Sequence, residues 1–383
     1  MEVCTEEFTR LTTTIPNVRC DVNAVVTLTN PLSLSNWTLP VVEWLWIVGA
    51  ALCLIHAIRW YRRSGDSTNI VVWVTGVTAL LLIEPTSYFP QWFGLEEKLG
   101  LTFVHNQFTV NFLYNRIPLY IVACYPVFLY ISYLLVQRTG IFRLYHAVVG
   151  ALAVAMVYHF LWEVVDTLGA QWLWWVWNTE LSTSKPSLGV VPLLNIQVFT
   201  IIMPFGVTLV PLLLRRLRHD GAWSIARDVV INSVAVWPLI FLASLPSTVV
   251  NLLGGSLESA RVLQCWLWVA LAVGVGTWAY IGAYRARRAD PSLIPDHVRG
   301  DYLALGWSLA YLGVALSFWI AALPGYFSAV DGVAPNGGQL GSLPYAVFAY
   351  IGALASIWAS YVGTTRRQNV PSAVTVGAAN NSQ

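Results

Sequence analysis

The stretch YHFLWEVVD, residues 158–166, lies near one end of a long apolar run, and its reading decides how the rest of the chain is understood. His159, Glu163 and Asp166 are spaced i, i+4 and i+7, so at about 100° per residue all three project within roughly a 60° arc of one helix face. In a segment otherwise made of Val, Ala, Leu, Phe and Trp, such groups are costly unless they face a polar cavity or partner helices. Ionisable residues inside a membrane helix are therefore functional candidates by default.

Outward from that helix the whole chain is apolar: 57% of residues are hydrophobic and 10% charged, where a soluble domain carries about 25% charged residues. This is the composition of an integral membrane protein. A net charge of +2 makes no case for a nucleic-acid partner. No signal peptide is expected, because the first apolar run begins near Pro40, after a polar segment containing Glu2, Glu6, Glu7 and Asp21.

Apolar runs of spanning length fall at about 40–58, 70–89, 117–136, 144–168, 189–214, 228–252, 262–284, 302–322 and 343–363. The expected fold is an all-α, polytopic bundle of about nine transmembrane helices in the cell membrane. Alternating the connections puts Arg59, Arg62, Arg63, Arg138, Arg143, Arg215, Arg216, Arg218, Arg227, Arg285, Arg287, Arg288, Arg299, Arg366 and Arg367 on one side. Arg10, Arg19, Lys98, Arg116, Lys185 and Arg261 fall on the other. The richer side is expected to be cytoplasmic, which places the N-terminus outside and the C-terminus inside. Residues 1–39 then form an extracytoplasmic segment, 40–363 the membrane domain and 364–383 a small, polar, disordered cytoplasmic tail. Cys4 and Cys20 in the exterior segment can pair in an oxidising compartment, whereas Cys53, Cys124 and Cys265 read as small buried apolar residues.

Two exterior loops are too aromatic for plain linkers: residues 84–118 and 171–192. Trp172, Trp174, Trp175 and Trp177 suit a headgroup-level aromatic belt; the alternative is a lid or wall of a lipid-binding cavity. Glu84, before Pro85 at the outer end of the second helix, falls at a depth similar to His159, Glu163 and Asp166 in the fourth and to Asn195 at the start of the fifth. With His105, Asn106, Asn111 and Asn115 they can line one polar pocket. The alternative is that Glu84 and Asp166 are solvated or paired with Arg116 or Lys185, while His159 and Glu163 only bond neighbouring helices.

In a low-dielectric site one carboxyl can donate a proton near neutral pH while a better solvated one accepts. That apparatus suits hydration, dehydration or ring closure of an apolar substrate without a cofactor. Other chemistries have weaker support. His56 and His146 sit near inner helix ends, where a bis-histidine haem is geometrically conceivable. A metal site on His159 and Glu163 lacks further ligands beyond His105. Retinal is set aside because the only lysines, Lys98 and Lys185, lie in loops, and no nucleotide-binding glycine motif is present. Transport, or lipid binding without catalysis, is the rival class: Pro118, Pro126, Pro192, Pro204, Pro211, Pro238 and Pro246 interrupt helices three, five and six, although no inverted repeat is found.

EPTSYFPQWF, then HNQFTVNF and IP, resembles the spirocyclase AveC-like family, polytopic membrane proteins of actinobacteria. Glu84, Pro85, Tyr88, Phe89, Asn106, Phe108, Val110, Asn111, Phe112, Ile117 and Pro118 carry the likeness, which spans roughly residues 70–215. His159 and Glu163 stand at the family's acidic pair, and Pro192 is followed by Asn195 where an acid is usual. The layout is more loosely similar to the membrane hydratases of carotenoid biosynthesis. The resemblance implies cyclisation of a polyketide-derived dihydroxy-ketone to a spiroketal, or dehydration or hydration of a related lipid. The departures at His159 and Asn195 leave open a different substrate, a histidine in the acid's role, or lost activity.

The expected roles follow. Glu163 is the general acid, Glu84 the base or cation stabiliser and His159 the proton relay, with Asp166 beside them. Asn195, Asn111, Asn106, His105 and Tyr88 contact substrate. The expected partners are the membrane and a hydrophobic small-molecule or lipid substrate, with no metal and no cofactor; the sequence names no protein partner.

Overall fold

The structure is a computed structural model describing residues 3–20, 22–214 and 221–362. Among them nine helices are long and apolar enough to cross a membrane. They are α1 Thr38–Ser64, α2 Thr68–Tyr88, α3 Leu119–Thr139, α4 Ala147–Gly169, α5 Leu193–Leu214, α6 Ala222–Leu252, α7 Leu257–Ala289, α8 Leu303–Phe327 and α9 Leu343–Tyr361. Arg215, Arg216, Arg218, Arg366 and Arg367 of the topology count, and the tail 364–383, lie outside the described residues.

Several helices outrun their apolar stretches. The Ser256 hydroxyl caps the start of α7 by accepting from the Ser259 N–H at 3.3 Å, and Arg285, Arg287 and Arg288 extend its other end. Hydropathy marks the apolar part of a helix and is blind to these polar turns.

Helices α3 and α4 form the centre and are buried along almost their whole length. Helix α3 packs on α1, α2 and α4; α4 packs on α5, α7 and α9. Gly76 of α2 faces the α3 backbone at Pro126, where a Cβ would stand 3.0 Å from the proline Cα, so glycine permits the approach. In α6, Pro246 disrupts the helical ladder, and the freed groups find side chains: Ser247 N–H donates to Gln264 Oε1 at 2.8 Å, and the Ala243 carbonyl accepts from Gln197 Nε2 at 3.3 Å. Helix α5 opens with one short turn and runs as π-helix over Ile196–Ile202 before returning to α-helix.

One end of the bundle carries a cap built from residues 3–20, 22–37, 89–118, 170–192 and 328–342. Its short strands are β1 Val26–Leu28, β2 Phe103–His105, β3 Val110–Phe112, β4 Ile117–Pro118, β5 Trp175–Trp177, β6 Ser187–Leu188 and β7 Val191–Pro192. Strand β3 lies between β1 and β4, β2 pairs antiparallel with β5, and β6 with β7. Cys4 and Cys20 form a disulfide that closes the N-terminal arm. In that arm the short helix Glu6–Thr12 sets Phe8 and Leu11, with Ile15 beyond it, against Leu101, Val104, Leu173 and Val176. Glu7 fastens the arm, accepting from Asn178 Nδ2 at 2.7 Å and Leu101 N–H at 3.2 Å. Gln339 reaches both backbone groups of Trp177, at 2.9 and 3.0 Å, and stands in for a strand on the open edge of β5.

This cap corrects the aromatic-belt reading. Trp174, Trp175 and Trp177 are buried inside the protein: Trp175 and Trp177 share one face of β5, Trp174 packs on Trp46 and Phe318 and donates its indole N–H to Thr38 Oγ1 at 2.8 Å, and Trp172 is half-buried against α8 through its indole N–H on the Phe318 carbonyl. Arg116 pairs with neither Glu84 nor Asp166: its guanidinium stacks 3.5 Å over the Phe8 ring and donates to the Val3 carbonyl.

Candidate functional site

Beneath the cap, one cavity collects groups that are distant in the sequence. Its wall is made by Glu84 of α2, Ile121 and Tyr125 of α3, Trp162 and Asp166 of α4, Asn195 and Phe199 of α5, and Phe103, His105, Trp175 and Trp177 of the cap. The cavity measures about 30 Å³, room for one or two water molecules. Two carboxyls, an imidazole and a carboxamide thus share one cavity whose remaining wall is aromatic apart from Ile121.

Each polar group is held by a neighbour. The Tyr125 hydroxyl donates to Glu84 Oε1 at 2.7 Å, and the Tyr88 hydroxyl stands beside the same carboxyl. Asn195 Nδ2 donates to Asp166 Oδ2 at 2.9 Å, joining the first turn of α5 to α4. His105 Nδ1 and the Tyr120 hydroxyl share a hydrogen bond of 2.7 Å, while Nε2 is buried without a partner. Burial pushes the His105 imidazole down to about 3, so it is neutral at physiological pH and carries one N–H. A neutral ring can offer the cavity a donor or an acceptor.

Glu163 and His159 lie on the same face of α4 but outside the cavity wall. Glu163 is wholly buried, with neither carboxyl oxygen in a hydrogen bond, and Oε1 is 3.6 Å from His159 Nδ1. The Thr200 hydroxyl spends its only hydrogen on the Ile196 carbonyl at 2.5 Å, so at 2.7 Å it accepts from His159 Nδ1–H. His159 Nε2 then accepts from the Tyr345 hydroxyl at 2.8 Å. The π-helical stretch of α5 supplies Thr200 and begins beside the cavity residue Asn195, with Phe199 of the wall inside it; such bulges are frequent at functional sites.

Glu84, Asp166, Asn195 and His105 therefore converge, and Tyr88 adjoins them. Asn106 and Asn111 do not reach the cavity wall. Asn106 ties the cap together, donating to Ser35 Oγ at 2.9 Å and the Leu173 carbonyl at 2.7 Å; Asn111 is buried in β3. His56 has both ring nitrogens engaged, by the Tyr130 hydroxyl at 2.8 Å and Asp301 at 2.7 Å, which leaves no free nitrogen for a haem iron. No group of three or more His, Cys, Asp or Glu residues stands ready for a metal among the described residues.

Sequence reasoning missed Tyr125, Thr200 and Tyr345, which hold the ionisable groups, and Phe103, Trp162 and Phe199 of the aromatic wall; Trp175 and Trp177, for which a cavity wall was the alternative to a belt, do line it. It also missed Glu43, wholly buried in α1, whose carboxyl accepts the Thr109 and Val110 N–H groups at 3.1 and 3.2 Å. A lone acid in an otherwise apolar run was the signal for Glu43; the tyrosines carried none.

A family model described as a domain of unknown function (DUF7802) matches residues 20–245. No curated protein and no solved structure matches the chain. The matched region contains every residue of the cavity wall, whereas Tyr345 falls beyond it. Since the match covers more than half of the 383 residues, the chain belongs to the DUF7802 family.

Proposed function

We propose that the protein is a multi-pass membrane enzyme that performs cofactor-independent acid–base chemistry on a hydrophobic polyketide- or isoprenoid-like lipid, by cyclisation, dehydration or hydration. The supporting observation is the convergence of Glu84, Asp166, His105 and Asn195 in the wall of one largely aromatic cavity. Ionisable groups gathered in so apolar a setting are costly to fold around.

In a dehydrative ring closure, one carboxyl protonates the departing hydroxyl as the C–O bond breaks, and water leaves. The second carboxyl takes the proton from the attacking hydroxyl as the new C–O bond forms. Glu84 and Asp166 fill these two roles, Asn195 and His105 orient substrate oxygens, and the aromatic wall shields a cationic intermediate. Glu163 and His159 stand behind Asp166 as a proton relay. At about 30 Å³ the cavity admits water but no lipid, so the substrate enters with movement of the Phe103, Trp175, Trp177 and Phe199 wall. The likeness to the spirocyclase AveC-like family supports this class of reaction.

Mass spectrometry of lipid extracts from strains with and without the gene tests the proposal. A precursor differing by water, or an isomer of equal mass, should accumulate in the deletion strain. An unchanged lipid profile under conditions where the protein is made would reject catalysis in favour of transport or lipid binding.

A further inference from the structure

Three helices set the direction in which the acid-lined cavity is least covered. Among the described residues of its wall, Asn195 and Phe199 of α5 are half-buried and the others are buried, so the wall is thinnest on the α5 side. Its α2 side is Glu84, followed by the half-buried Pro85 and Thr86. Helix α2 packs on the Met203–Leu214 half of α5, whereas the π-helical stretch Ile196–Ile202 packs on α4, α6 and α7. The two helices therefore diverge toward the cap, and the cavity lies where they part.

Helix α6 covers the seam between them only at the end away from the cap. There Ser233 and Thr78 of α2 share a hydrogen bond of 2.6 Å, and Asn232 Nδ2 donates to the Val207 carbonyl of α5 at 3.0 Å, so α6 bridges both helices. Nearer the cap its partners change: the Ala243 carbonyl accepts from Trp268 Nε1 of α7 at 3.3 Å, and Ser247 N–H donates to Gln264 of α7 at 2.8 Å. Helix α6 thus runs obliquely from α2 to α7. Leu81 and Leu82 follow Thr78 at i+3 and i+4, on the face that meets α6, yet they are 44% and 47% exposed. The cap-side half of the α2–α5 seam is left open, with apolar side chains on its edge.

We propose that this open seam is a lateral portal through which a hydrocarbon chain, acyl or isoprenyl, passes from the cap-side leaflet into the cavity, with Phe199 as its gate. The inference rests on the catalytic reading of the cavity: the reacting end of the substrate sits between Glu84 and Asp166 while its chain trails through the seam into lipid. Phe199 stands in the π-helical stretch with its ring centroid 6.2 Å from that of Tyr125. Turning that ring aside joins the cavity to the seam without moving the cap.

The test is photolabelling in nanodiscs that contain hexadecanol with a diazirine at its chain end, with the label mapped by peptide mass spectrometry. Helix α3 is buried along almost its whole length, so label at Ile121 or Tyr125 must arrive through an opening. Phe199→Ala should raise that label at least fivefold and Phe199→Trp should lower it at least threefold, each measured against label on Val48 and Leu52, exposed on α1. Leu134, Leu135 and Val136, buried in the other half of α3, should stay unlabelled; label there reports misfolding, and Phe199→Leu then replaces Phe199→Ala. Unlabelled hexadecanol or geranylgeraniol should suppress the signal, and the stronger competitor names the chain class. Equal label in wild type and both variants, or suppression by neither alcohol, would overturn the portal. Gated labelling beside an unchanged lipid profile in the deletion strain would keep the portal and reject catalysis. Turnover lost in Glu84→Gln beside labelling indifferent to Phe199 would keep catalysis and reject the portal.

Discussion

The Asn195 carboxamide donates to Asp166 across 2.9 Å, fixing the first turn of α5 to the polar face of α4. Removing the donor leaves Asp166 buried with one partner fewer. Asn195→Leu is expected to cost about 1–3 kcal/mol, and Asn195→Asp at least as much, because it adds a like charge beside Asp166. Thermal unfolding in detergent reads both; a melting temperature unchanged in either variant would count against this contact.

Glu163 calls for the opposite outcome. Its carboxyl is enclosed with neither oxygen hydrogen-bonded, so a buried polar group is being tolerated at a cost. Glu163→Leu is expected to raise stability by roughly 1–3 kcal/mol while lowering turnover. A variant less stable than wild type would show that the carboxyl holds the fold together.

Glu43 differs, since its carboxyl accepts two backbone N–H groups of the cap. Glu43→Ala should strand both donors, at a cost of about 2–5 kcal/mol. Hydrogen exchange should show the Thr109 and Val110 amides losing protection while the helices keep theirs. Protection retained at those two amides would contradict the anchor.

The pH dependence of stability follows from His105. Its folded value lies near 3, below the ordinary 6.5, so between these values the unfolded chain holds a proton that the folded chain does not. Stability is fully present above about pH 6.5 and falls on acidification, by up to about 1.4 kcal/mol per pH unit. Melting curves of wild type and His105→Gln from pH 7 to 4 should converge as the pH falls, and parallel curves would contradict the neutral, buried imidazole.

Much of this molecule was legible in its residues. Spans of apolar sequence marked the nine long apolar helices found among the described residues, because a helix long enough to cross a membrane needs about 20 apolar residues. The i, i+4, i+7 spacing put His159, Glu163 and Asp166 on one face, as they are. Which of them meets the cavity was not legible: periodicity gives the face, while the wall depends on what α2, α5 and the cap place opposite. The tryptophans misled because a belt and a buried β-pair have the same composition, and only the pairing of Phe103 with Trp177 separates them. The π-helix of α5 and the Gln339 clamp on Trp177 arise from tertiary contacts that one sequence does not display.

The most direct test of Glu84 and Asp166 as the reacting pair is complementation of a deletion strain, with lipid extracts compared by mass spectrometry. Wild type and Glu180→Gln, at an exposed position of the cap, are expected to restore the product. Glu84→Gln and Asp166→Asn, inserted and folded at normal levels, are expected to leave the precursor in place, with turnover down by about 10²–10⁴. Product restored to wild-type levels by either cavity variant would contradict acid–base catalysis at this site.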